Sequence, residues 1–156
     1  MTGYLLVKWV HILSLTVLFG TGAGIAFFFV RAQRTGDPKV IAAVAGDVVL
    51  ADMLFTLTAV VLQPATGIWL AVHAGYPLST PWLLWSIGLY VLVGCYWLPV
   101  VWLQIRMRDL AAKAAVAGVP LADSYQRYYR WWFGLGWPAF IGVLAIFYLM
   151  VVKPGI

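Results

Sequence analysis

The chain has 156 residues, 64% of them hydrophobic and 10% charged, with a mean hydropathy of +0.95. Soluble domains carry about 25% charged residues, so a soluble fold of this composition could not cover itself with polar surface. Lipid has to act as the solvent for its outer side chains, and the net charge of +5 then points to anionic headgroups and membrane topology rather than to nucleic acid.

A membrane-crossing helix needs about 20 mainly apolar residues. Four stretches qualify, at about 4–30, 50–74, 82–106 and 130–152. The expected fold is an all-α integral membrane protein, one domain built as a four-helix bundle. Helices satisfy their own backbone groups in lipid and open sheets do not.

The first stretch contains Lys8, Trp9, His11 and Ser14, then Gly20-Thr21-Gly22-Ala23-Gly24. It is too long for a cleaved signal peptide, because the apolar run continues through Val30. Gly20 and Gly24 form a small-xxx-small pair, which lets a neighbouring helix approach closely. A flat cofactor lying over them is the alternative. Arg31, Arg34 and Lys39 follow in the first connection.

The second stretch carries Asp52, Thr56, Gln63 and Thr66 near one face, at helical spacing, and ends near His73. A polar stripe of this kind suits a proton or quinone path. Asp52 is close in depth to Arg31, Arg106 and Arg130, so a structural ion pair is expected there. Asp47 should be a solvated charge in the extension of this helix. Gln63 precedes Pro64, and its amide is expected to bond backbone carbonyls that prolines leave free.

The third stretch opens at Trp82 and contains Cys95, which as a lone cysteine can form no internal disulfide. Its helix should run on through Ala111–Ala117 and stop at Gly118 and Pro120. Tyr125, Tyr128, Tyr129, Trp131 and Trp132 then read as an interfacial aromatic belt leading into the fourth stretch. Of the other tryptophans, Trp69, Trp97, Trp102 and Trp137 lie deeper and could flank a porphyrin or a quinone.

Eight basic residues fall in the first and third connections, and only Lys8 and Lys153 fall on the opposite side. The positive-inside rule places those two connections in the cytoplasm and both termini outside. In a bacterium this means the inner membrane, with the termini in the periplasm.

His11 and His73, the two histidines, are expected at similar depth in the outer half of antiparallel helices. Imidazoles on facing helices are the usual axial ligands of haem b in a bundle. The expected haem site is therefore His11 and His73 on the iron, with Ser14 on the His11 face and Trp69 on the His73 face. The bland alternative is a hydrogen-bonded core histidine and an interfacial one.

The segments Leu5-Leu6-Val7-Lys8-Trp9-Val10-His11-Ile12-Leu13-Ser14, Phe19-Gly20-Thr21-Gly22, Pro64-Ala65-Thr66-Gly67 and Gly136-Trp137-Pro138-Ala139 carry a family resemblance. Tyr76-Pro77-Leu78, Pro81-Trp82-Leu83 and the run from Trp97 to Arg108 add to it. Together they resemble the bacterial integral membrane family called domain of unknown function 2269, over nearly the whole chain. The histidine early in the first stretch, His11, is also similar in its place to that of HemJ-type protoporphyrinogen oxidases and CopD-type membrane proteins. That likeness implies haem on His11. HemJ-like proteins also use a lysine early in the third span, where this chain reads Trp82-Leu83-Leu84-Trp85-Ser86. That departure points away from HemJ catalysis and leaves haem binding.

These readings converge on a small b-type haem protein in electron transfer or quinone-linked redox chemistry. The alternative is a non-catalytic accessory or assembly subunit that docks a membrane-protein partner or a second copy of itself. A transporter fits least, because the sequence shows no internal repeat. No catalytic constellation stands out, so the residues do not decide whether the protein is an enzyme.

Overall fold

In lipid every backbone N–H and C=O must find its partner inside the chain, and the architecture follows from that. The computed structural model describes residues 2–154. Its elements are α1 (Thr2–Gln33), α2 (Pro38–Ala51), a π-helical turn (Asp52–Thr56), α3 (Leu57–His73), α4 (Pro81–Ala117) and α5 (Asp123–Val152). α2, the π turn and α3 form one continuous rod, so four rods cross the bundle, each long and apolar enough to span a bilayer. There is no strand among the described residues.

Local chemistry sets the helix ends. Asp37 accepts a bond from the Lys39 N–H at 2.8 Å and Pro38 follows as the first helical residue of α2, a placement in which proline's missing donor costs nothing. α4 likewise opens on Pro81 and ends on Gly118 at φ +67°, the left-handed cap that glycine adopts without strain. At 37 residues α4 is roughly 55 Å long, well beyond the ~30 Å hydrocarbon core. It therefore projects past the membrane at the end that carries most of the arginines.

Call that the basic end, and the end with both termini the terminal end. Close helix–helix packing joins α4 to α5, α2 to α4, and α1 to both α2 and α3. α1 and α5 meet through aromatic side chains: the Phe19 ring centroid lies 5.2 Å from Phe140 and 5.3 Å from Phe147, and Phe29 lies 5.0 Å from Trp132.

The solid core sits at the basic end, where Phe29, Ile41, Met107, Ala111 and Tyr125 are almost wholly buried. Gln33 donates a hydrogen bond to the Tyr125 hydroxyl across this core. A smaller cluster of Ala71, Trp82 and Leu83 closes the terminal end. There the Lys153 ammonium lies 5.0 Å from the Tyr76 ring and 5.5 Å from the Trp82 ring. Outside, Leu5, Trp9, Phe27, Phe28, Trp85 and Leu98 are each more than half exposed. In water that surface would drive aggregation, whereas lipid accommodates it.

Two expectations need correction. Tyr125 and Trp132 are not part of an interfacial belt: both are buried, Trp132 at 6% exposure. α5 starts at Asp123, earlier than the apolar run suggests, so its first turns pack into the basic-end core. Asp52 forms no ion pair among the described residues either. The one salt bridge among the described residues joins Arg108 to its neighbour Asp109, with both side chains well exposed, and such pairs stabilise little.

Candidate functional site

Between the two packed ends the bundle holds a partly open cavity of about 400 Å³. Its origin is legible in side-chain size. Gly22 of α1, Gly94 of α4 and Gly136 of α5 all border it, and a Cβ built on any of them would meet nothing within 4 Å. Three helices thus face one another with their smallest residues, and the space between stays open. On α1 the lining runs from Leu15 to Val30, a length of roughly 22 Å. The walls are apolar and rich in aromatic rings, including Phe19, Trp97, Trp132, Trp137 and Phe140.

The polar groups on this lining are few, and several gather toward the basic end. Asp52 and Thr56 lie at the two ends of the π turn, and both are buried, at 3% and 5% exposure. The Leu57 N–H bonds the Asp52 carbonyl, five residues back, which widens the turn and inserts one residue into the register. Such turns recur at functional sites. Asp52 itself lies on the cavity lining and is in salt-bridge range of no arginine among the described residues. Thr56, Gln104 and Trp97 are the side chains nearest its carboxylate. Thr56 and Trp97 are within reach of that carboxylate, yet Thr56 Oγ1, Trp97 Nε1, Gln104 Oε1 and Trp132 Nε1 are buried without a hydrogen bond of good geometry. Buried polar groups are normally paired; of these, Thr56, Trp97 and Trp132 are on the cavity lining, while Trp82 Nε1 is unpaired in the same way at the terminal end.

A second polar network closes the other end of the cavity and ties α1 to α3. Gln63 donates to the His11 carbonyl at 2.8 Å and also to the Ser14 hydroxyl. Ser14 in turn donates to the His11 carbonyl at 3.2 Å. The Gln63 amide therefore holds α1, and a different residue serves the carbonyl that Pro64 frees. That carbonyl belongs to Val60, four residues before the proline, and it accepts from the Tyr90 hydroxyl at 2.6 Å. Thr66 Oγ1 donates to the Leu62 carbonyl at 2.6 Å and lies 2.7 Å from His11 Nδ1. A hydroxyl has one proton. Spent on Leu62, it leaves Thr66 as the acceptor of an Nδ1–H from His11, and His11 Nε2 keeps its lone pair.

The structure does not bring His11 and His73 together. His11 faces Thr66 and Gly67, where a Cβ on Gly67 would lie 3.1 Å from His11 Cε1. His73 lies seven residues further along α3, about 10 Å in helical rise. It is exposed, stacks on Trp69 with centroids 3.7 Å apart, and holds the Trp69 carbonyl through Nδ1 at 2.9 Å. Tyr4 flanks Trp69 at 6.3 Å. Two imidazoles so placed do not fit the opposite faces of one haem, and neither histidine lines the cavity. Trp69 stacks on His73, and Ser14 bonds the His11 carbonyl rather than its ring. Among the described residues no group of three or more His, Cys, Asp or Glu side chains could hold a metal ion.

Of the deeper tryptophans, Trp97 and Trp137 face the cavity. Trp102 is half exposed and carries Arg106 over its ring at 5.4 Å. The Gly20–Gly24 pair meets no other helix of this chain at close range.

A helical bundle with an apolar exterior, four spanning rods and an internal cavity defines an integral membrane protein. The chain matches the family described as predicted integral membrane protein (DUF2269) over residues 5–154, and it belongs to that family. No curated protein and no solved structure matches it, and the likeness to HemJ- and CopD-type proteins finds no counterpart there.

Proposed function

We propose that this protein holds a lipid-soluble small molecule inside its bundle, and that an isoprenoid quinone is the class of ligand, in keeping with a role in quinone-linked redox chemistry. The observation that carries the reading is the aromatic cavity with buried, unpartnered polar atoms toward one end. Ligand sites are mostly apolar with a few convergent polar groups, and indole walls suit a flat ring. The membrane itself supplies such molecules. In this reading the basic end faces the cytoplasm of a bacterial inner membrane, because eight of the ten Lys and Arg residues gather there.

The test is a titration of the purified protein with a decyl-substituted benzoquinone, followed by quenching of tryptophan fluorescence. Wild type should show saturable quenching. Gly94→Leu fills the cavity at a position with open space around its Cβ, and it should leave only the linear quenching of quinone dissolved in detergent. Identical linear curves for both proteins would remove the proposal.

Haem on His11 alone is the second reading. One observation favours it: Nδ1 is bonded to Thr66, the outer partner that an iron-ligating imidazole uses to orient its other nitrogen. A reduced-minus-oxidised visible spectrum of protein from haem-replete cells decides it. An α band that His11→Ala abolishes supports ligation, and a colourless preparation ends that reading.

A further inference from the structure

We propose that the π turn and its neighbours form a receptor for a head group that both donates and accepts hydrogen bonds, so that the site prefers a quinol to a quinone or an alkylated ring. The inference rests on the cavity reading above and adds the identity and orientation of the ligand's polar end. The donors are the indole N–H groups of Trp97 and Trp132, on residues that line the cavity; both are buried without a hydrogen bond of good geometry, and Trp97 sits beside the Asp52 carboxylate. The acceptor is the Asp52 carboxylate, on the same lining and without an ion pair among the described residues. Thr56 Oγ1, on the lining beside Asp52 and without a hydrogen bond of good geometry, can serve either way.

A simple carbonyl would occupy the indole donors and leave the carboxylate facing an acceptor. A quinol hydroxyl accepts from an indole and donates to Asp52, so both halves of the shell are filled. A methyl ether accepts and cannot donate. Orientation follows from composition: the head lies toward the basic end, and the isoprenoid tail runs along the phenylalanine-lined portion past Phe19, Phe140 and Phe147.

The experiment compares three probes on the purified full-length chain: decyl-hydroquinone kept reduced, decyl-benzoquinone, and the dimethyl ether of the hydroquinone. Binding is read by isothermal calorimetry in one detergent. The unaltered protein should bind the hydroquinone about tenfold more tightly than the dimethyl ether, the worth of one buried hydrogen bond. Asp52→Leu, which removes the acceptor, should bring the two probes within about threefold, and Asp52→Asn, which keeps one acceptor oxygen, should fall between. Discrimination by wild type needs no variant, so a poorly folding substitution does not spoil the test. Equal affinity for all three probes, with binding lost in Gly94→Leu, would overturn the head-group receptor while leaving the cavity reading intact. No binding of any probe would overturn both.

Discussion

Tyr90 donates its hydroxyl proton to the carbonyl of Val60 at 2.6 Å, and Val60 is the residue whose helical partner is missing because Pro64 has no N–H. One helix breaks its own ladder and its neighbour completes it. Tyr90→Phe should therefore cost about 1–2 kcal/mol, seen as a lower melting temperature in detergent. Pro64→Ala restores the donor within α3, so the cost of Tyr90→Phe should shrink in that background. A double-mutant cycle with no coupling would contradict the account.

Gly67 allows α3 to pass close beside the His11 ring. Gly67→Ala demands a shift of a few tenths of an ångström, and Gly67→Val a larger one. The expected result is a graded loss of thermal stability from Gly to Ala to Val. His11→Ala in the Gly67→Val background should recover part of it, because the clash partner is then gone.

Gly20 and Gly24 are conspicuous in sequence, yet neither touches another helix of this chain. Alanine at both should leave the monomer unharmed, or more helical by up to about 1 kcal/mol each. If Gly20→Ala with Gly24→Ala instead weakens a crosslinked dimer or a co-purifying complex, these glycines pack against another chain. The accessory-subunit alternative would then gain its contact face.

Lys153 sits in the left-handed region at φ +45°, over two aromatic rings at the terminal end. Cation–π contacts of this type contribute about 1 kcal/mol. Lys153→Met should lower stability by about that amount, and Lys153→Arg should retain most of it. Equal melting temperatures for all three proteins would show that the cap contributes nothing.

The four spans were legible because lipid imposes long uninterrupted apolar runs, and composition alone reveals them. The stops were legible too: Gly118 and Pro120 end α4 where their chemistry says. Helix rotation was not. Gly22, Gly94 and Gly136 are far apart in sequence, and only the packing of three helices shows that they border one cavity. The π turn leaves no mark in hydropathy, and by depth alone Asp52 reads as an edge residue although it is buried on the cavity lining. Depth matching placed the histidines in one half of the membrane but missed the register. His11 lies nine residues after the start of α1 and Thr66 seven before the end of α3, so they are the level pair, while His73 is the last residue of its helix. Trp132 was misread because aromatic residues beside arginines look alike whether they face lipid or a core.

The most direct measurement is the quantity of quinone that the protein carries out of its own membrane. Wild type and Gly94→Leu would be purified in parallel from the same host, extracted with organic solvent, and the isoprenoid quinones counted by mass spectrometry. A filled site predicts an amount approaching one quinone per chain in wild type, falling to the level of the bulk lipid carry-over in Gly94→Leu. Equal trace amounts in both proteins would contradict it.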